Sequence, residues 1–484
     1  MIALGAADRL EHATAPKSST PVNDDYNKIA DMALPLRHAM NNKDCCMKKT
    51  IIRCGFALSV LTSTLFTTSA NAALSTATDP FYTYSGSTPL SSIPLGSVVA
   101  QRTISYHLAG LATPVTALQL LYRTNNAQMQ PVVNVTTILK SPVSNGKAIS
   151  YQSFYDSLNP YDSPSRVIAG DQDITKLINL GSFIATSESL PLATLVLAGY
   201  NIIIPDTEGE TADFAAGPEY GMTTLDSIRA ATHTASTGLQ PTSPIALIGY
   251  SGGAIATNWA SQLAPSYAPD VNQHLVGAAE GGVLVDPAHN LYYVNGSTVW
   301  GGIAPTALVG LARAYNFDLT PYLSTKGLAV FNDIQSQSIV YILPKYSGLQ
   351  WASLLKPQYA NDINSIPAFV KYANVVNAGL APNPTVPMFI GQGTLGLPDG
   401  TISTQPGDGV MMSNDLRTLV KKFCSGGASV QYTEYPLEHL SATVPWVAQA
   451  VPWLTARFAG LPAPSNCGLV QLLPSNSLAP ETIH

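Results

Sequence analysis

Apolar residues recur along the chain at two different spacings. Residues 98–105, 116–124 and 131–139 are short runs rich in β-branched and aliphatic side chains, and the last two are joined by a polar turn around Asn125-Asn126. That pattern predicts strands, with a hairpin between the second and third. Residues 149–155 read as a fourth strand, residues 189–198 as a helix, and residues 201–204 as a short buried strand. Over residues 219–236 the spacing changes: Met222, Leu225, Ile228 and Ala231 recur every three residues, as on one face of a helix. Residues 244–250 then form a strand whose apolar run is unbroken from Ile245 to Ile248, followed by a helix to about Ala264 and a further strand at residues 275–279. Strands alternating with helices argue for an α/β fold with a mainly parallel sheet.

The alternation stops between about residues 286 and 384. Helical segments rich in Ala, Leu and Tyr are expected there near residues 303–316, 326–338 and 364–378. It resumes with a strand at 386–390, a helix at 413–424, with Ser413 as its N-cap, and a last core strand at 430–435. The expected organisation is a first core part over 73–285, a helical cap or lid over 286–384, and a second core part with the C-terminal tail over 385–484.

The N-terminus changes what counts as fold. Met47-Lys48-Lys49 opens a basic segment, residues 56–66 are apolar, and Ala70-Asn71-Ala72 is a small-x-small cleavage site. This is the form of a signal peptide over 47–72, and the apolar stretch is too short for a comfortable membrane span. Residues 1–46 are then an upstream extension, with Met47 the natural start and Ala73 the start of a secreted chain without a transmembrane segment. Apolar residues make up 46% of the sequence and charged ones 11%, which suits a large buried core. The formal net charge is −6, and the first 72 residues hold eight of the 24 Lys and Arg but only six of the 30 Asp and Glu. The exported part is therefore more acidic still, which disfavours nucleic acid as a partner. Cys45, Cys46 and Cys54 fall in the removed part, leaving Cys424 and Cys467. Two cysteines in an exported protein suggest one disulfide, tying the helix before the last strand to the C-terminal tail.

Candidate chemistry centres on Gly249-Tyr250-Ser251-Gly252-Gly253, directly after the buried run. A strand leading through Gly-x-Ser-x-Gly into a helix is the form of a nucleophile elbow, in which a tight turn lifts the serine hydroxyl above the sheet edge. A serine hydroxyl needs a base, and in α/β hydrolases the acid and then the histidine follow the serine along the chain. His439 lies after the last core strand and before the final helix, where this fold places its base; His274, His289 and His484 read as surface or structural residues. The acid should follow the strand at 386–391, where Asp399 and Asp408 are both available, each before a glycine. Local structure favours Asp408, which leads straight into the next helix. The oxyanion hole needs two backbone donors: Gly252, after the nucleophile, and Asp156, at the end of an earlier strand. Gly281-Gly282 and Gly426-Gly427 read as turns. No His-Glu-x-x-His or paired-cysteine metal motif occurs, and no metal or cofactor is expected.

Beyond the elbow, several segments resemble the secretory lipase family typified by fungal lipase A. They are Gly249 to Ala254 with Trp259 and Ser266-Tyr267-Ala268-Pro269, Asp79-Pro80-Phe81-Tyr82, Gln119 to Thr124, Thr136 to Leu139, Asp206-Thr207-Glu208-Gly209 and Gly221 to Ala230. The resemblance covers nearly all of residues 79–467 and is weakest in the cap. It implies an α/β-hydrolase fold and cleavage of triacylglycerols or other carboxylic esters without a metal. It places the nucleophile on Ser251 and the oxyanion residue on Asp156 of Tyr155-Asp156-Ser157. Counted back from Cys424, it places the acid on Asp408 rather than Asp399, and the base on His439 of Tyr435-Pro436-Leu437-Glu438-His439-Leu440. It also pairs Cys424 with Cys467. The chain departs from the family in a longer Gly/Pro loop over 392–407, in Met412 for a proline, and in Thr207 for a histidine.

The expected activity is thus that of a secreted serine ester hydrolase acting on a lipid or other ester, with a lipid–water interface as the expected place of contact. The alternatives are a carboxylesterase for short soluble esters or a peptidase on the same fold, and a non-catalytic lipid-binding member of it.

Overall fold

The computed structural model describes residues 79–171 and 181–484. The expected upstream extension (1–46) and signal peptide (47–72) lie outside the described residues. Nine described strands form one sheet: β1 Val98–Leu108, β2 Leu111–Asn125, β3 Pro131–Leu139, β4 Ala148–Gln152, β5 Asn201–Pro205, β6 Ile245–Tyr250, β7 Leu275–Gly281, β8 Met388–Gly393 and β9 Val430–Tyr435. Their order in space is β1-β2-β3-β5-β4-β6-β7-β8-β9. The pairs β1–β2, β2–β3 and β3–β5 are antiparallel, and every neighbouring pair from β5 to β9 is parallel.

The unbroken apolar runs have a simple cause: the parallel strands are covered on both faces. Leu247 of β6, Ile203 of β5 and Met388 of β8 pack into one apolar cluster with Leu225 of the helix Gly217–Thr232, Trp259 of Gly252–Tyr267 and Phe423 of Ser413–Ser425. Their sequence neighbours Ile248, Ile202 and Phe389 point the other way, toward Leu192 of the helix Ser189–Leu197 and Trp453 of His439–Phe458. Each such aliphatic or aromatic side chain contributes about 1.5–3 kcal/mol on burial.

Boundaries moved where tertiary contacts or exposure set them. β1 and β2 run on past residues 105 and 116 and meet at a turn through Ala109 and Gly110, both at positive φ. Two such residues suit a tight hairpin, and the added strand ends are largely exposed. The fourth strand stops at Gln152 rather than continuing to Tyr155. The helix expected to reach residue 236 ends at Thr232.

Between β7 and β8 the chain forms the helices Pro287–Tyr293, Ile303–Ala314, Thr325–Ile334, Ile339–Lys345 and Pro367–Val375. They share an apolar cluster of their own, including Leu291, Trp300, Phe331 and Phe369, joined by Val410 and Met411 from the segment after β8. The single helix expected over 326–338 is broken. At the break Gln337 O accepts from Leu158 N, and Ile339 N donates to Asp156 O, at 3.0 and 3.2 Å. The interruption thus binds the insertion to the loop after β4. Ser413 is the first helical residue, not the cap, and its hydroxyl bonds Gly393 O instead. Cys424 and Cys467 form a disulfide across 43 residues, tying that helix to the tail. Among the described residues, no helix is long and apolar enough to cross a membrane.

Candidate active site

The turn after β6 has the backbone that the pattern predicts. Ser251 sits at φ 54°, ψ −121°, and the helix Gly252–Tyr267 starts at the next residue. Such a conformation is costly for a residue with a side chain and persists only where its surroundings impose it. Here Ser251 N donates to Gly281 O of β7 at 2.8 Å. The flanking glycines are a packing requirement: a Cβ on Gly249 would lie 2.2 Å from Gly253 O, and one on Gly253 would lie 2.1 Å from Gln152 O of β4.

His439 opens the helix His439–Phe458, rather than lying in the loop before it, with Glu438 capping that helix through Leu440 N and Ser441 N. The structure brings together the three residues that the sequence singles out. His439 Nε2 is 2.7 Å from Ser251 Oγ, and His439 Nδ1 is 2.7 Å from Asp408 Oδ2. Asp408 and His439 are fully buried. The other carboxylate oxygen of Asp408 accepts from Val410 N and Met411 N, and its backbone oxygen accepts from His439 N. Asp408 is therefore fixed before it meets the imidazole. Asp399, the other acid candidate, does not touch His439; its carboxylate accepts from the indole of Trp300.

The imidazole ring is confined by other contacts too. Tyr250 lies 5.2 Å away between centroids and donates its hydroxyl to His439 O. Trp300, from the insertion, stands edge-to-face at 5.2 Å and 83°. A Cβ on Gly282 would come within 2.6 Å of His439 Cε1.

Asp156 follows β4 at φ 37°, and a Cβ on Gly252 would lie 1.7 Å from its Oδ1, so the carboxyl sits directly against the start of the elbow helix. Two buried acids hold this turn. Glu188 accepts from Ser153 Oγ, Phe154 N and Tyr151 Oη, and Glu208 accepts from Ser157 N while its own N–H donates to Tyr155 Oη. Burial, and then the charge of Glu188, raise the Asp156 pKa well above the ordinary carboxylate value. Burial pushes Glu188 up to about 7, and burial with Asp156 nearby raises Glu208 strongly. Burial thus works against the charged form of Asp156. Glu188 drew no attention in the sequence, and Glu208 appeared only within Asp206-Thr207-Glu208-Gly209, without a role.

Ser251, Gly252 and Asp156 lie in the wall of a cavity with about 710 Å³ of empty space, part of it open to solvent. The rest of its lining is almost wholly apolar, from Ile255 of the elbow helix and Leu291, Trp300, Leu308 and Phe369 of the insertion.

Comparisons with known proteins bear on the family and the fold. The model of the family described as "Secretory lipase" matches residues 177–466. The chain is 31% identical over 405 residues to "Lipase A" of Moesziomyces aphidis, covering 81% of this chain and 82% of that protein. It is 29% identical over 393 residues to a Mycobacterium tuberculosis protein named "Probable inactive lipase MT1628", covering 79% and 82%. Among solved structures, Candida antarctica lipase A in its closed state superposes with a TM-score of 0.69 at 27% identity, over 84% of this chain and 91% of that one. The fold is that of an α/β hydrolase. The chain belongs to the secretory lipase family.

Proposed function

We propose that the protein is a secreted serine ester hydrolase that cleaves lipid esters, most simply triacylglycerols, through an acyl-enzyme. The observation that carries this is the pair of 2.7 Å contacts, Ser251 Oγ to His439 Nε2 and His439 Nδ1 to Asp408, at the wall of an apolar cavity. His439 takes the Ser251 proton as Oγ attacks the ester carbonyl, and Asp408 holds the tautomer and stabilises the imidazolium. The tetrahedral oxyanion is met by the backbone N–H groups of Gly252 and Asp156. The burial that raises the Asp156 pKa works against a negative charge beside the oxyanion. His439 then protonates the leaving alcohol, and water activated by the same imidazole releases the acid. The apolar cavity suits an acyl chain.

Contact with a lipid–water interface is supported by the loop over residues 394–407. Leu395, Leu397 and Ile402 are exposed, the last at 91%, and Leu440 and Val444 are exposed on the helix that begins at His439. Asp399 is that loop's one charged residue, and it is buried. The test is a series of p-nitrophenyl esters from acetate to stearate, alongside emulsified triolein and soluble tributyrin. Turnover of long chains and of triolein supports the lipase reading, turnover confined to short soluble esters makes the protein a carboxylesterase, and a folded protein without turnover contradicts both.

A further inference from the structure

Asp399 lost the contest for the catalytic acid, yet it lies beside the site and is almost fully buried. Its Oδ2 accepts from Trp300 Nε1 at 2.7 Å. Its backbone oxygen accepts from Val299 N at 3.0 Å and Ser297 Oγ at 3.1 Å. Two residues on, the Thr401 hydroxyl lies 2.8 Å from Ser297 Oγ and 2.6 Å from Gly409 O. Gly409 directly follows Asp408, and a Cβ on it would come within 2.5 Å of Asp399 Oδ2. Residues 399–401 therefore grip two things together: the insertion segment 297–300 and the turn that carries Asp408.

Trp300 faces His439 edge-on and also lines the cavity that holds Ser251. Of the ring contacts described for His439, Tyr250 comes from the sheet, while Trp300 comes from the insertion. Aromatic pairs of this geometry carry a definite orientational preference, and a Trp placed by a hydrogen bond to its indole N–H has fewer ways to turn.

We propose that Asp399 and Trp300 are positioning residues for the proposed base: Asp399 holds the indole, and the indole holds the His439 ring in line with Ser251, so the seating of the helical insertion is felt at the imidazole. This rests on His439 acting as base. In this role Asp399 acts as the hydrogen-bond acceptor for the indole.

The experiment compares wild type with Trp300→Phe, Asp399→Ala, Asp399→Asn and the double variant Trp300→Phe/Asp399→Ala, with melting curves confirming that each is folded. The substrates are p-nitrophenyl acetate and laurate. Trp300→Phe keeps a ring but loses the N–H, and Asp399→Ala loses the acceptor. Each is expected to lower kcat by roughly three- to tenfold, equally on both esters and with little change in KM. A residue that only walls the cavity would instead change KM and the chain-length preference. The double variant should be no worse than either single, because both break one link. Asp399→Asn keeps an oxygen for the indole and should restore most of the rate. Losses that multiply in the double variant, an Asn that behaves like Ala, or rates within about twofold of wild type would overturn the proposal while leaving the proposed function standing. A wild type without ester turnover would remove both.

Discussion

The Asp156 carboxyl occupies the space that a side chain on Gly252 would fill: a Cβ there would sit 1.7 Å from Asp156 Oδ1. The two proposed oxyanion donors thus belong to residues in direct contact, and one of them brings an acid. Its pKa is raised well above the usual range by burial and by Glu188, so the carboxyl stays neutral well past the pH at which an exposed Asp ionises. As pH rises through that elevated value, a negative charge appears beside the developing oxyanion and kcat should fall. Asp156→Asn, which also tolerates positive φ, cannot ionise. Its pH profile should lack this alkaline loss, while its rate near neutral pH stays within about tenfold of wild type. Superimposable alkaline limbs would contradict this role for Asp156.

Asp408 and Asp399 make opposite predictions. Asp408→Asn should permit the wrong imidazole tautomer and lower kcat by roughly ten-thousandfold. Asp399→Asn keeps the indole's acceptor and should cost less than about tenfold. Steady-state kinetics on one soluble ester separates the two, and the reverse order would move the acid to Asp399.

His289 joins three parts of the chain. It lies in the first helix of the insertion, its Nδ1 is 3.0 Å from Asp415 of the helix Ser413–Ser425, and its Nε2 is 3.9 Å from Glu481 of the C-terminal tail. The hydrogen bond to Asp415 is the largest cause raising its pKa to about 9. Because the folded value is raised, the stabilisation is complete below the unfolded value near 6.5 and is lost as pH climbs through about 9. The difference in melting temperature between wild type and His289→Gln should be largest near pH 6 and should close by about pH 10. A difference independent of pH would show that the imidazolium contributes nothing.

The disulfide closes a loop of 43 residues. Chain entropy assigns such a crosslink about 4 kcal/mol. Neither cysteine lines the cavity. Replacing both with alanine should shift the denaturant midpoint markedly and leave kcat of the folded protein unchanged; a loss of kcat at full folding would connect the crosslink to the site.

How much of this was legible depends on what kind of signal each feature leaves. The parallel strands were visible because burial on both faces makes runs such as Ile245 to Ile248 continuously apolar. The elbow was visible because Gly249 and Gly253 answer to close backbone approaches that no other residue permits. Serine, acid and histidine could be ordered because chain order and strand ends constrain them. The two Asp-Gly candidates could not be separated by local pattern with the same force. What separates them is three-dimensional: Asp408 is fixed by two backbone donors before it meets the imidazole, while Asp399 turns to an indole. The break after Ile334 was hidden because it is imposed by bonds to residues 156–158, far away in sequence. Glu188 and Trp300 carried no motif, since a lone glutamate and a tryptophan in a Gly-rich segment look like many others.

The central claim is that Ser251 is the acyl-accepting nucleophile. The most direct measurement is labelling of the folded protein with a serine-reactive organophosphonate, followed by peptide mass spectrometry and residual ester turnover on the same samples. The label should be found on the peptide containing Ser251, turnover should disappear in proportion to its occupancy, and Ser251→Ala should take no label and lose rate on the order of a millionfold. Full turnover in Ser251→Ala, or undiminished turnover in protein fully labelled at Ser251, would contradict the account.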